Sequence, residues 1–459
     1  MAATPTPLVR VVRRWSRAPD PSTALAALGE RPGAFLRWAN GGPADIARWS
    51  FAGSEPASVL EVRGNGRGLS QDPWAAMGAR WPRRVRSLGP RIPFAGGWFG
   101  SLGYELRAAI EREPPPRRPP DGFPALWLGW YDAVVAWDAR TGHAFLAGLG
   151  DGVREARDAA DRLRERLRAA PASVREPRGA ASAARSVTRT TPAAYRRRVA
   201  DAMERIRDGD LFQANVSQRF EARAPVGPLA LFRRLAASSP APFLTWLHLG
   251  HGRAILSASP ERFLALRGDL AETRPMKGTR PRGATRASDR RLARELEASV
   301  KDRAELAMIT DLARNDLGRS CRPGTVRVRC ARRLEAYRTV HQAVAIVTGR
   351  LERGRTGIDL LRGAFPPGSV TGAPKVEAMR VIDDLEGEAR GPYCGAIGWL
   401  DAGGDLDLCV AIRTITVGGG RVAYRVGGGV TLLSEPEAER RETLDKGKAL
   451  ARAVAGASP

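Results

Sequence analysis

The chain has 459 residues, 43% of them hydrophobic, with 50 Gly and 34 Pro. That is enough apolar material for a sizeable core, and it excludes a disordered or collagen-like polymer. Lys and Arg number 74 against 49 Asp and Glu, a formal net charge of +25. The arginines are interleaved with acids along the whole chain rather than gathered into an arm or stripe, which argues against nucleic-acid binding.

No run of about 18 apolar residues occurs, and the N-terminal MAATPTPLVRVVRRWS lacks an apolar signal region. A cytoplasmic protein with no membrane span is expected. Cys321, Cys330, Cys394 and Cys409 share no CxxC spacing, so reduced thiols are expected rather than a zinc ribbon or a disulfide framework.

In chain order, residues 1–150 carry nine of the eleven Trp and alternate short apolar runs (LVRVV, SVLEV, GGWFGSLGYEL, FPALWLGWYDAVVAW) with Gly/Pro turns. This predicts a strand-rich N-terminal region with a few helices. Glu111–Gly122, EREPPPRRPPDG, is too rich in Pro for a helix or strand and reads as a polar loop. Residues 151–170 have the pattern of an amphipathic helix, and 171–190 are small, polar and aperiodic, as in a surface linker. Thr191–Pro192 reads as a cap and first turn of a helix running to Gly209. From 191 to 455 the chain is dense in candidate motifs.

Of the 74 basic residues only five are Lys, at 277, 301, 375, 446 and 448. Where Arg serves for charge, surviving lysines are enriched at positions that need an amine, because an ammonium can lose its proton and attack carbon and a guanidinium cannot. Lys277, Lys375 and Lys446 lie inside structured motifs, and Lys277 sits in the Gly/Pro-bounded loop ETRPMKGTRPRG.

Lys301–Asp316 has helical periodicity, with Asp302 and Glu305 three apart on one face. In SEPEAERRETLDKGKALARAV, Ser434 and Glu437 fit a capping box, and Glu439, Glu442 and Lys446 share a face. Two helices each offering a carboxylate pair suit Mg²⁺, although solvated helical charge has the same pattern. DLDLCVAIRTITV alternates as one strand with Cys409, Ala411 and Arg413 on a common face, which makes Arg413 a candidate carboxylate binder. Gly427, Gly428 and Gly429 fall within a strand pattern and suggest a bulge or backbone N–H groups turned toward an anion. His341 lies in the strand-like TVHQAVAIV, and a lone His there is more often a satisfied core residue than a catalyst.

SPERF (259–263), RPMKGTRPRG (274–283), DRAELAMITDLARNDLG (302–318), FPPGSVTGAPK (365–375), GPYCGAIGW (391–399), LCVAIRT (408–414) and SEPEAERRETLDKGKAL (434–450) occur in that order. As a set they resemble the chorismate-utilising enzymes: anthranilate synthase component I, aminodeoxychorismate synthase component I, and the isochorismate and salicylate synthases. The segment PFAGGWFGSLGYEL (93–106) resembles the N-terminal region of the first two. The fold the resemblance implies is α+β, with packed antiparallel β-sheets flanked by helices.

The resemblance implies Glu305 and Glu442 as Mg²⁺ ligands, with Asp302 and Glu439 holding the metal's waters; the family usually has Glu at the position of Asp302. It implies Tyr393 and Arg413 as binders of substrate carboxylates, and Gly278, Thr279 and the Gly427–Gly429 backbone as further contacts. His341 matches the family's active-site His, Ser369 a position usually Thr, and Lys446 the Lys beside the metal carboxylates. The water-using members carry a Lys base where this chain has Gln213, which argues against water as nucleophile.

Lys277 matches the PxKGT Lys of the aminodeoxychorismate synthases, where anthranilate synthases usually have a small residue. The implied reaction adds Lys277 to ring C2 of chorismate, with Glu261 as general acid for the C4 hydroxyl, and ammonia then takes C4. No GxCxG glutaminase elbow occurs in the sequence, so a separate glutaminase partner is expected to supply the ammonia. Anthranilate synthase component I is the rival within the family. A basic nucleic-acid-binding or non-catalytic interaction protein is the rival from another class.

Overall fold

Three segments, Gly97–Leu102, Leu126–Tyr131 and Ala396–Asp401, are buried at every position. A strand reads as a continuous apolar run, without alternation, when both of its faces are covered. The computed structural model, which describes residues 7–64, 68–111, 117, 119, 121–169 and 187–456, shows what covers them. Among the described residues the strands form one 13-stranded and one 10-stranded sheet. The sheets pack face to face, and helices lie on both outer surfaces, as expected of an α+β sandwich.

In the larger sheet, Gln213–Arg223, Arg421–Val430, Thr414–Gly418, Arg253–Ser259, Phe243–Gly250 and Phe35–Trp38 follow in order. In the smaller one Met276–Pro281, Val340–Arg350, Leu270–Thr273, Arg262–Arg267, Leu406–Val410, Ala396–Asp401 and Gly97–Leu102 do so. Strands from residues 1–150 and from 191–455 thus share both sheets. Among the described residues, pairing is antiparallel except between Leu8–Arg14 and Val85–Leu88.

The layer between the sheets is aromatic: Phe35 stacks on Phe99 at 4.0 Å, Phe94 on Trp399 at 5.3 Å, and Tyr131 meets Phe35 edge-on. Outside the larger sheet, Leu231, Leu235, Leu163 and Leu450 bring helices onto its back. Outside the smaller one, Leu317, Leu360 and Met379 do the same. The predicted helices appear as Val153–Arg168, Pro192–Arg207 with Thr191 capping Ala194 N, Val300–Gly318 and Pro436–Ala455. Of the expected linker only residues 187–190 are described; the short strand Val187–Thr188 within them pairs with Glu221 and Phe220. Most of the expected loop at 111–122 likewise lies outside the described residues.

Four local readings are corrected. The cap of the C-terminal helix is Glu435, whose carboxylate accepts from Glu437 N and Ala438 N, while the Ser434 hydroxyl instead donates to Glu439 at 2.7 Å. The segment around Lys277 is a strand, Met276–Pro281, with a bulge at Gly278. DLDLCVAIRTITV is two strands: Leu406–Val410 belongs to the smaller sheet and Thr414–Gly418 to the larger. Arg413, at φ 51°, lies in the crossing between them rather than on a strand face. Gly427–Gly429 pair in unbroken register with Ser217, Val216 and Asn215, so no bulge occurs there.

The crossing at 411–413 has a twin. Arg253–Ser259 lies in the larger sheet and Arg262–Arg267 in the smaller, so the chain also changes sheet at Pro260–Glu261. The two crossings are laced together: Val410 N donates to Glu261 O, Ala258 N to Arg413 O, and Ser259 Oγ to Val410 O.

Candidate active site

Lys277 stands where the strand Met276–Pro281 bulges. Gly278 takes φ 79°, and a Cβ there would lie 2.9 Å from Asp302 and Leu296. Glycine therefore lets this strand close onto the Val300–Gly318 helix. Burial pushes the Lys277 ammonium pKa below its ordinary value; Glu305, Glu261 and Glu442 act in the opposite direction and Lys446 with the burial. Among the described residues the Lys277 amine makes no hydrogen bond and no ion pair, although acids lie within electrostatic reach.

The two sheet crossings supply the next two groups. Glu261 is buried, and burial raises its carboxyl pKa to about 7 against the opposing effects of a Ser369 hydrogen bond and the charges of Lys277 and Arg413. A carboxyl group held near neutrality is suited to proton donation. The Arg413 guanidinium faces Glu261 and Tyr337 but makes no hydrogen bond or ion pair among the described residues. A guanidinium with no protein carboxylate is open to one from a ligand.

The strand Arg421–Val430 forms the floor. A Cβ on Gly429 would collide with the Gln213 amide and come within 3.0 Å of Lys277 Nζ. One on Gly428 would lie 2.8 Å from a Glu439 oxygen, and one on Gly427 2.7 Å from the Tyr393 hydroxyl. The three glycines thus make room for the groups around them. Gln213 is fully buried, yet neither of its amide atoms has a partner. Buried amides are nearly always satisfied, so this one points to a ligand beside Lys277. Tyr393 is buried, hydrogen-bonded to Asn215 and followed by Cys394 at φ 64°.

The acids come from two helices, Val300–Gly318 and Pro436–Ala455. Glu305 lies 3.9 Å from Lys301, and Glu442 lies 2.7 Å from Lys446, whose charge holds its carboxyl pKa down. Asp302 pairs with Arg280 at 3.1 Å. Glu439 is buried, with its pKa raised by burial and lowered in part by the Ser434 hydrogen bond. Among the described residues no three His, Cys, Asp or Glu side chains form a ready-made metal cage. Hard carboxylate oxygens from Glu305 and Glu442, both felt by Lys277, fit a cation that takes its other ligands from water and substrate, the habit of Mg²⁺.

The remaining candidates are placed as follows. Lys446 Nζ also reaches the Gly427 carbonyl at 3.3 Å. Thr279 Oγ1 donates to Gln342 at 2.9 Å. His341 Nε2 lies 2.9 Å from Asp289, which is also clamped by Arg282; no hydrogen bond or ion pair joins His341 to Lys277 or to the four acids.

Sequence reasoning singled out Lys375 without its partners and missed Arg390. Lys375 donates to Asp316 and to the Ala364 carbonyl, each at 2.7 Å. Arg390 is bound by Glu386 at 2.6 and 2.9 Å. The i, i+4 spacing of Glu386 and Arg390 was the only signal for the second pair, and it is common on exposed helices.

The chorismate binding enzyme family matches residues 35–452. Anthranilate synthase component 1 of Streptomyces coelicolor is 40% identical over 448 residues, 95% of this chain and 86% of that protein. Aminodeoxychorismate synthase component 1 of Salmonella typhimurium is 39% identical over 357 residues, covering 78% of this chain and 76% of that one. The crystal structure of anthranilate synthase component I from Streptococcus pneumoniae superimposes with a TM-score of 0.77 at 28% identity, covering 88% of this chain and 92% of that one.

Proposed function

The chain belongs to the chorismate-binding enzyme family, and from that premise we propose that it converts chorismate and ammonia to 4-amino-4-deoxychorismate and water. One observation carries the choice among family reactions: Lys277 presents a half-buried amine with no protein partner, beside a carboxyl group held near neutrality. In the proposed reaction Arg413 and Tyr393 hold carboxylate groups of the substrate. Lys277 Nζ forms a bond to ring C2. The C1=C2 and C5=C6 pairs shift to C1=C6 and C4=C5, and the C4–O bond breaks. Glu261 gives its proton to the departing hydroxyl, which leaves as water. Ammonia then bonds to C4, the electron pairs return, and Lys277 leaves. Glu261 takes back a proton from the new ammonium nitrogen.

Glu305 and Glu442 would hold Mg²⁺, with Asp302 and Glu439 behind them, and the ion would supply Lewis-acid stabilisation at the ring carboxylate. A separate glutaminase subunit in the cytoplasm would supply the ammonia, in keeping with a chain whose cysteines are all free. Among the described residues no helix is long and apolar enough to cross a membrane.

A second reading, anthranilate synthesis, is favoured by the match to the Streptomyces coelicolor protein along 95% of the chain. Incubating the enzyme with chorismate, Mg²⁺ and ammonium separates the two. Aminodeoxychorismate, detected as 4-aminobenzoate once a lyase is added, is the expected product. Anthranilate fluorescence without any lyase supports the second reading instead.

A further inference from the structure

The N-terminal motif GGWFGSLGYEL has no part in the chemistry above, yet it ends against the turn that presents Tyr393. After the strand Gly97–Leu102 the chain enters a 3-10 turn, Tyr104–Ala109. Glu105 is 2% exposed and has no cationic partner within ion-pair distance. Its two oxygens accept the backbone N–H groups of Arg390 at 2.7 Å and Gly391 at 3.0 Å. Tyr104 N donates back to the Gly391 carbonyl at 2.8 Å. A carboxylate spent on two successive amides fixes the orientation of a peptide turn.

That turn carries more than itself. The Arg390 guanidinium lies over the Tyr104 ring at 4.8 Å and the Tyr393 ring at 5.7 Å. It also donates to the Val370 carbonyl, next to Ser369, and to the Asn215 carbonyl, whose side chain bonds Tyr393. Glu386 neutralises it and accepts from Ser217 N and Oγ at 2.8 Å. One guanidinium therefore ties together three segments that bear candidate site residues, and Glu105 sets where its backbone sits.

The geometry points to Glu105 as a positioning residue for substrate binding, acting through the Arg390–Gly391 turn to hold Tyr393 at the carboxylate it is proposed to bind. This rests on the chorismate reading, and it gives the N-terminal half of the chain a direct part in the site. Glu105→Gln keeps one acceptor oxygen and presents N–H to the other amide. The expected result is a chorismate KM raised about 10-fold with kcat held within about 2-fold, the signature of lost binding that is shared by ground and transition states.

The decisive arm is a double-mutant cycle. On a Tyr393→Phe background, Glu105→Gln is expected to add less than about 2-fold, because the two changes remove one interaction. The full chain is assayed with chorismate, Mg²⁺ and ammonium, and chorismate affinity is also read by calorimetry. If Glu105→Gln does not fold, Tyr104→Leu replaces it in the same cycle, with a KM rise of about 3-fold expected from loss of the ring under Arg390. Fully additive effects, or a folded variant with unchanged KM, overturn the inference while leaving the chorismate reading standing. A wild-type chain that neither binds nor consumes chorismate overturns both.

Discussion

Lys277 and Lys375 are two half-buried amines whose pKa values desolvation lowers, and their surroundings treat them in opposite ways. Lys375 is engaged: its ammonium donates to Asp316 and to the Ala364 carbonyl at 2.7 Å each. Lys277 makes no such bond, and the strand facing it has been stripped to glycine at 429. A carboxylate partner and a carbonyl acceptor keep an ammonium charged and fixed, which is structural work. Desolvation without such partners favours the neutral amine, which is what a nucleophile needs. The scarcity of lysine marks both sites equally, and only the partners tell them apart.

The sharpest way to break that contrast is Lys277→Arg. Charge and length are nearly kept, so folding should survive, but kcat should fall by about 10³-fold or more because a guanidinium cannot add to carbon. Activity within a few-fold of wild type would put Lys277 in the same class as Lys375. The reverse experiment is Lys375→Met. It should cost about 3–5 kcal/mol of stability in chemical denaturation, because Asp316 is left buried and unpaired, while the chorismate KM of the protein that remains folded stays near normal.

A smaller effect concerns pH. Glu261 must be protonated to act as the acid, and its pKa is raised to about 7. Ionisation of this carboxyl should therefore make activity decline above about 7, while on the acid side protonation of the Lys277 amine and of ammonia lowers the rate. Glu261→Gln, lower in rate throughout, should lose that decline; a decline that persists in this variant assigns it to another group. The smallest effect is expected at the third lysine. Lys446 is partly exposed and pairs with Glu442, so Lys446→Met should lower kcat/KM only several-fold. A loss as large as that of Lys277→Arg would show that the contrast lies in the acids rather than in the unpaired amine.

How much of this was legible beforehand depends on the element. The helices at 153–168, 192–207 and 300–318 follow directly from apolar periodicity, with a cap read at Thr191. The strand-rich N-terminal region follows from its apolar runs. The break at Arg413 does not, because alternation with period two continues unchanged while the chain passes from one sheet to the other. The same blindness hid the crossing at Glu261, so the reason these two residues converge lies in topology and not in spacing. His341 read as a residue of uncertain role, and its partner Asp289 is 52 positions away. Glu105 was invisible for a similar reason: a carboxylate that serves backbone N–H groups leaves no complementary charge in the sequence to find.

The central claim is that the Lys277 amine takes part in covalent chemistry on chorismate. Mass-spectrometric product analysis of wild type and Lys277→Ala, each given chorismate, Mg²⁺ and ammonium, tests it most directly. The expected result is 4-amino-4-deoxychorismate from wild type and its near-complete loss in a variant that is folded and still binds chorismate. Undiminished formation of that product by Lys277→Ala would contradict the claim.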